Sequence, residues 1–153
     1  MTRHRQRLVL VVDRCPADRG LAREILAGSG YSVVQAGNPL AVLPMARFHQ
    51  PDLIVLGTEA RDTGESSIIG KLRKDTTTGE TPILATGVSR LHDRIAVLLE
   101  AGADEYLVKP YDRREFTLRV ALVLGVRRTQ RTARSAQAAL AHKVDTMTTL
   151  QRF

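Results

Sequence analysis

The segment Ala101–Pro110, AGADEYLVKP, ends in a lysine and a proline placed where open α/β sheets hold their ligands. Gly102 follows the helix-spaced apolar run Ile95, Leu98, Leu99 and suits a helix C-cap. Tyr106, Leu107 and Val108 then form a run too short to be anything but a buried strand. Pro110 cannot continue a ladder, so the strand stops at Lys109 and leaves its ammonium at the rim of the sheet. The turn that follows must be tight, and the Lys109–Pro110 bond is expected to be cis.

Asp13 is the natural counter-charge, since it ends another apolar run, Leu8–Val12. A pairing of Asp13 with Lys109 or Arg14 is the plain reading, and an anion or small-molecule pocket at the same rim is the alternative. Glu59, Asp62 and Glu65 could together hold a cation, although acids in a polar loop are most often simply solvated. Cys15 lies beside the first strand as a bystander, and His4, His49, His92 and His142 show no ligand spacing. A single cysteine excludes an internal disulfide and fits a reducing cytoplasm.

These residues need a scaffold, and the pattern supplies one. Leu8–Val12 is β-branched and continuous, as a central parallel strand should be. A helix opens at Pro16 or Ala17, carries Leu21, Ile25 and Leu26, and closes at Gly28 and Gly30. Tyr31–Ala36 reads as a second strand. A second helix carries Leu40, Leu43, Met45, Ala46 and Phe48, with Pro44 kinking it or confined to a first turn. Leu53–Leu56 is the third strand, ending at Gly57, and Thr58–Glu65 is a loop. Ile68, Ile69 and Leu72 mark a third helix, Pro82–Thr86 a fourth strand, Leu91–Ala101 a fourth helix and Glu105–Val108 the fifth strand. Asp112 is the N-cap of a fifth helix, with Glu115 three residues on. Strict alternation predicts a doubly wound α/β fold with a five-stranded parallel sheet, in the flavodoxin-like order 2-1-3-4-5 or as a nucleotide-binding half-domain. DRCPADRG after the first strand is neither GxGxxG nor a P-loop, which argues against the second.

The 153 residues suit one domain of ordinary size, and no apolar run approaches the roughly 18 residues of a membrane span. The net charge of +7 is uneven. Residues 1–7 form a basic arm with Arg3, Arg5 and Arg7, residues 127–153 carry six basic side chains against Asp145, and residues 8–126 are nearly neutral. The folded body therefore has no electrostatic footprint for nucleic acid, and no aromatic residue is interleaved in the tail for stacking.

With its elements in order the chain resembles the receiver domain of bacterial two-component response regulators, the CheY-like family, over roughly Arg7–Val126. LVLVVD, PDLIVL, TPILA and EAGADEYLVKPYD carry the resemblance. It implies two adjacent acids after strand one that hold Mg²⁺, an aspartate ending strand three that accepts a phosphoryl group, a Thr or Ser ending strand four, an aromatic residue in strand five, and a lysine before the proline. Asp13, Tyr106 and Lys109 match. Arg14 stands for the second acid, Gly57 for the phosphoacceptor and Gly87 for the Thr or Ser, while Thr86 is one residue off and points to the other face. The following loop, TEARDTG, is also altered.

The expectation is a degenerate receiver, or pseudo-receiver: a non-enzymatic signalling module with no cofactor, Mg²⁺ included, and two cations, Arg14 and Lys109, facing one carboxylate. Tyr106 is a packing residue rather than a working switch. Helix four, strand five and helix five form the partner surface that the resemblance implies. The alternatives are a working phosphoreceiver with a displaced acceptor, for which Thr58 is a weak candidate, and a DNA-associated transcriptional regulator. The fifth helix is expected to continue past Gly125 into a connector. There Ala133, Gln137, Leu140, Val144, Met147 and Gln151 recur at alternating spacings of four and three, a seam suited to homodimerisation.

Overall fold

Strand and helix alternate through residues 5–125, which the computed structural model of the chain describes. β1 (Leu8–Val12), β2 (Ser32–Ala36), β3 (Leu53–Gly57), β4 (Ile83–Gly87) and β5 (Glu105–Val108) form one parallel sheet in the order β2-β1-β3-β4-β5. α1 (Pro16–Gly28), α2 (Val42–His49), α3 (Glu65–Lys74), α4 (His92–Ala101) and α5 (residues 113–125) connect and cover it. A nucleotide-binding half-domain is excluded by this strand order. The tail seam with Leu140, Val144 and Met147 lies outside the described residues, as does the start of the basic arm.

Side chains alternate across each strand, so every central strand feeds two cores. Val9, Val11, Leu53, Val55, Leu84 and Leu107 pack under α1 and α5 against Ile25, Leu26, Phe116 and Val120. Leu10, Val12, Ile54, Leu56, Ile83 and Ala85 face the opposite way, against Val42, Ala46, Ile69, Leu72 and Leu98. β3 and β4 are buried along their whole length.

Local chemistry sets the boundaries. Pro16 starts α1, where its missing N–H costs nothing. α2 begins after a 3-10 turn over Pro39–Ala41, which puts Pro44 in its first turn. Gly102 caps α4 at φ 127°, a conformation glycine adopts without strain. Asp112 Oδ1 accepts the Glu115 N–H at 2.8 Å and caps α5. β2 starts one residue later than its β-forming run, at Ser32, and β4 runs Ile83–Gly87 instead of Pro82–Thr86. The shift at β4 follows from hydrogen bonding: Gly57 pairs with Thr86 and Gly87 with Val108, so backbone pairing continues through both glycines.

Phe116 is fully buried and stands edge-on to Tyr111, with ring centroids 4.8 Å apart. Phe116→Ala should lower the unfolding free energy by about 3–5 kcal/mol in denaturant titration.

Candidate functional site

Parallel pairing brings the C-terminal ends of β1, β3, β4 and β5 side by side, which gathers Asp13, Gly57, Gly87 and Lys109 at one rim. Asp13 is buried. Its Oδ1 accepts the Cys15 N–H at 2.9 Å and its Oδ2 accepts Lys109 Nζ at 2.8 Å. The same ammonium lies 2.8 Å from Asp18 Oδ2. Asp18 is in the first turn of α1, where an acid also suits the helix dipole.

This corrects the expected charge balance. Arg14 is exposed to solvent, because its neighbour Asp13 takes the inward direction, and the rim holds one ammonium between two carboxylates. Lys109 is thus engaged by two carboxylates at the rim. Asp18 was legible as an acid near a helix start, but only the fold shows that α1 aims it at Lys109.

Burial opposes the charge on Lys109, yet hydrogen bonds to Asp13 and then Asp18 outweigh it and raise its pKa. Burial likewise acts to raise the Asp18 carboxyl, but its hydrogen bond to Lys109 leads the opposing causes and the net shift is downward.

Gly57 lies directly beneath Asp13. A Cβ placed on Gly57 would overlap the Asp13 carboxyl, so that carboxyl fills the space into which a longer residue would project. At Gly87 a Cβ would come within 2.7 Å of both Thr58 Oγ1 and Tyr106 Oη. Thr58, next to Gly57, donates through Oγ1 to Thr86 O at 2.8 Å, and Tyr106 Oη donates to Ser89 O at 2.8 Å. Tyr106 is buried, and burial raises its pKa. Thr86 turns to the other face, under α1 and α5, where its Oγ1 accepts Tyr111 Oη at 2.8 Å. Burial pushes the Tyr111 hydroxyl up to about 12 against that hydrogen bond. The Lys109–Pro110 bond is cis.

Two of the three loop acids, Asp62 and Glu65, lie together near the start of α3, both within reach of Arg94. Glu65 is buried, and it accepts hydrogen bonds from the Thr63 N–H at 2.7 Å and the Glu59 N–H at 3.2 Å. Arg94 of α4 reaches it at 3.5 Å and also donates to Glu59 O. Asp62 turns to the start of α3, and its hydrogen bond from the Ser66 hydroxyl leads the causes that lower its pKa to about 2. Glu65 is thus not a solvated loop acid, because α4 supplies a guanidinium that the sequence pattern did not place.

On the flank formed by α4, β5 and α5, Leu91, Leu99, Leu118 and Leu122 are exposed, and Arg119 bridges α5 to Glu105 of β5 at 3.1 Å. No described helix is long and apolar enough to cross a membrane.

A parallel sheet in this order, with its polar side chains at the strand C-termini, defines a flavodoxin-like α/β fold. The chain belongs to the response regulator receiver domain family, whose profile matches residues 9–121. The DNA-binding dual master transcriptional regulator RpaA of Synechocystis sp. is 34% identical over 130 residues, covering 84% of this chain and 53% of that protein. The phosphate regulon transcriptional regulatory protein PhoB of Pseudomonas aeruginosa is 30% identical over 116 residues, covering 76% and 51%. The chain thus spans about half the length of these curated relatives. Among solved structures, a CheY-like response regulator receiver domain protein from Methanospirillum hungatei superposes with a TM-score of 0.74 at 20% identity, covering 82% of this chain and 99% of its own. Chemotaxis response regulator CheY4 of Vibrio cholerae gives 0.71 at 22%, covering 78% and 99%.

The ion pair gives a direct test. Lys109 and Asp13 side chains are 9% and 8% exposed, so removing the ammonium strands a buried carboxylate. Lys109→Met should cost about 3–5 kcal/mol at neutral pH. Asp18, with its lowered pKa, contributes stability that is full above the ordinary carboxylate value of about 4 and is lost as pH falls through the lowered one. Lys109, with its raised pKa, contributes stability that is lost only above about pH 10.4. Denaturant titration from pH 6 to pH 2 should therefore show a shallower acid-side loss in Lys109→Met than in the unmodified chain.

Proposed function

We propose that this chain is a receiver-like signalling module that works by protein contact and is not switched by aspartyl phosphorylation. The observation that carries the reading is Gly57: no carboxylate stands there, and the Asp13 carboxyl occupies the space above it. The residues present do not fit the divalent cation of the family's chemistry. Asp13 is engaged by the Lys109 ammonium and the Cys15 N–H, the adjacent position is Arg14, and position 57 offers no oxygen side chain. Thr58 is a poor substitute acceptor, because it is buried and its hydroxyl is committed to Thr86 O.

The partner surface in this reading is the α4–β5–α5 flank with Leu91, Leu99, Leu118 and Leu122. The module acts in the cytoplasm, as an adaptor and not an enzyme, and pairs with a second copy through the seam of Leu140, Val144 and Met147. A second reading, a part in transcriptional regulation, is favoured by the similarity to the transcriptional regulators RpaA and PhoB. In that reading the receiver-like body is a protein-contact module of a regulator, and DNA contact lies outside it.

Beryllofluoride with Mg²⁺ tests the first reading. The amide spectrum should show no saturable shifts at Gly57, Gly87 or Tyr106, and such shifts would overturn it. Gly57→Asp alone, incubated with acetyl phosphate and Mg²⁺, should also remain unlabelled, because Asp13 and Lys109 still fill the rim and Gly87 still lacks a hydroxyl.

A further inference from the structure

The two edges of the sheet are finished differently. A sheet edge presents unpaired backbone groups, and charged side chains or prolines along it keep other strands away. At β5, Glu105 forms an ion pair with Arg119 at 3.1 Å beside the strand. β2, at the opposite edge, has no such guard. Ile25 to Ala46 is the longest stretch of the chain without Asp, Glu, Lys or Arg, and β2 lies inside it. Arg19, which reaches Gly37 just past the strand, is engaged by Asp13 O at 2.7 Å. The free edge can be read residue by residue, because successive backbone groups of a strand point to opposite sides. The Ser32 N–H donates to Arg7 O at 2.8 Å and Ala36 O accepts the Asp13 N–H at 3.1 Å, so Ser32, Val34 and Ala36 face β1. Val33 and Gln35 therefore turn their N–H and C=O groups away from β1, and no strand among the described residues lies beyond them.

We infer that the outer edge of β2 is a docking surface for β2 of a second copy of this chain. The edge is self-complementary. With the two strands antiparallel about a twofold axis at Val34, Val33 of each copy lies opposite Gln35 of the other, and each such pair exchanges two N–H···O=C bonds. The axis sets Val34 against its own counterpart, a β-branched contact on the face that α2 covers. On that face Leu40, from the 3-10 turn, and Phe48, from α2, are 76% and 82% exposed and flank the joined sheet in both copies. The charge pattern selects this occupant. An uncharged edge offers nothing to steer nucleic acid or a charged peptide, and the basic segments at the two ends of the chain find no counter-charge on it. Two copies of the same edge bring no like charges together. The contact is separate from the tail seam and stands independently of whether the rim accepts a phosphoryl group.

The experiment is residue-resolved amide hydrogen exchange on the full chain at two protein concentrations about a hundredfold apart. The Val33 and Gln35 amides should exchange freely in dilute protein and slow by about tenfold in the concentrated sample, because association protects them by mass action. The Ser32 and Val34 amides, already bonded to β1, should be slow in both. Val33 and Gln35 amides that stay fast at both concentrations would overturn the inference. Amides slow at both would equally overturn it, since the edge would then be covered from within a single chain. Gln35→Pro sharpens the test: proline is tolerated at an edge position whose N–H faces solvent, and it removes one donor from each pair. The slowing at Val33 should disappear in this variant, and slowing that survives would contradict the pairing. If the proline protein does not fold, Gln35→Lys places a charge at an exposed edge position and should cut the slowing at Val33 by about threefold. Slowing unchanged by the lysine would overturn the inference as well.

Discussion

Lys109 Nζ lies 2.8 Å from both Asp13 and Asp18, and the rest of the rim is arranged around that contact. The ammonium draws the Asp13 carboxyl inward over Gly57, and the Cys15 N–H fixes its other oxygen. Only a residue without Cβ leaves that room. An internal cation and an internal carboxylate thus stand together at the sheet rim, where the family resemblance implies a metal and a phosphorylated aspartate. Energetically the pair is no large source of stability, since burying two charges offsets most of their attraction. Its effect is on arrangement: each partner makes the other costly to move.

A similar logic holds at β4. Position 87 lacks the side chain that the resemblance implies, and the hydroxyls of Thr58 and Tyr106 fill the gap. Arg94 then ties the start of α4 to Glu59 and Glu65 in the loop after β3. These contacts link the loop after β3 to the helix that borders the exposed flank. In the proposed reading the consequence is a face displayed permanently, not one displayed on command.

Much of this was legible in the amino-acid order. Continuous β-branched runs, proline and glycine punctuation and strict alternation pointed to the parallel sheet, because burial on both faces leaves little else for such runs to do. The order of strands needed the absence of a phosphate loop and the resemblance. Asp13 and Lys109 were legible because each ends an apolar strand run, whereas Gly57 and Gly87 stood out only through the family resemblance. Asp18 and Arg94 were not singled out, and Glu65 was taken for a solvated loop acid. Their roles depend on how a helix turn or a polar loop aims a side chain across the fold, and no local pattern encodes that direction. Arg14 was misjudged for the same reason: adjacency to Asp13 in sequence places it on the opposite side.

The account rests on the Asp13 carboxyl filling the space above Gly57, and the stability of Gly57→Ala measures that directly. Glycine within a strand is ordinarily worse than alanine by roughly 0.5–1 kcal/mol, so a site with free space should gain stability from the change. Here the new methyl group meets the Asp13 carboxyl, and the variant should instead lose about 1–3 kcal/mol in denaturant titration. A Gly57→Ala protein as stable as the unmodified chain, or more stable, would contradict the account.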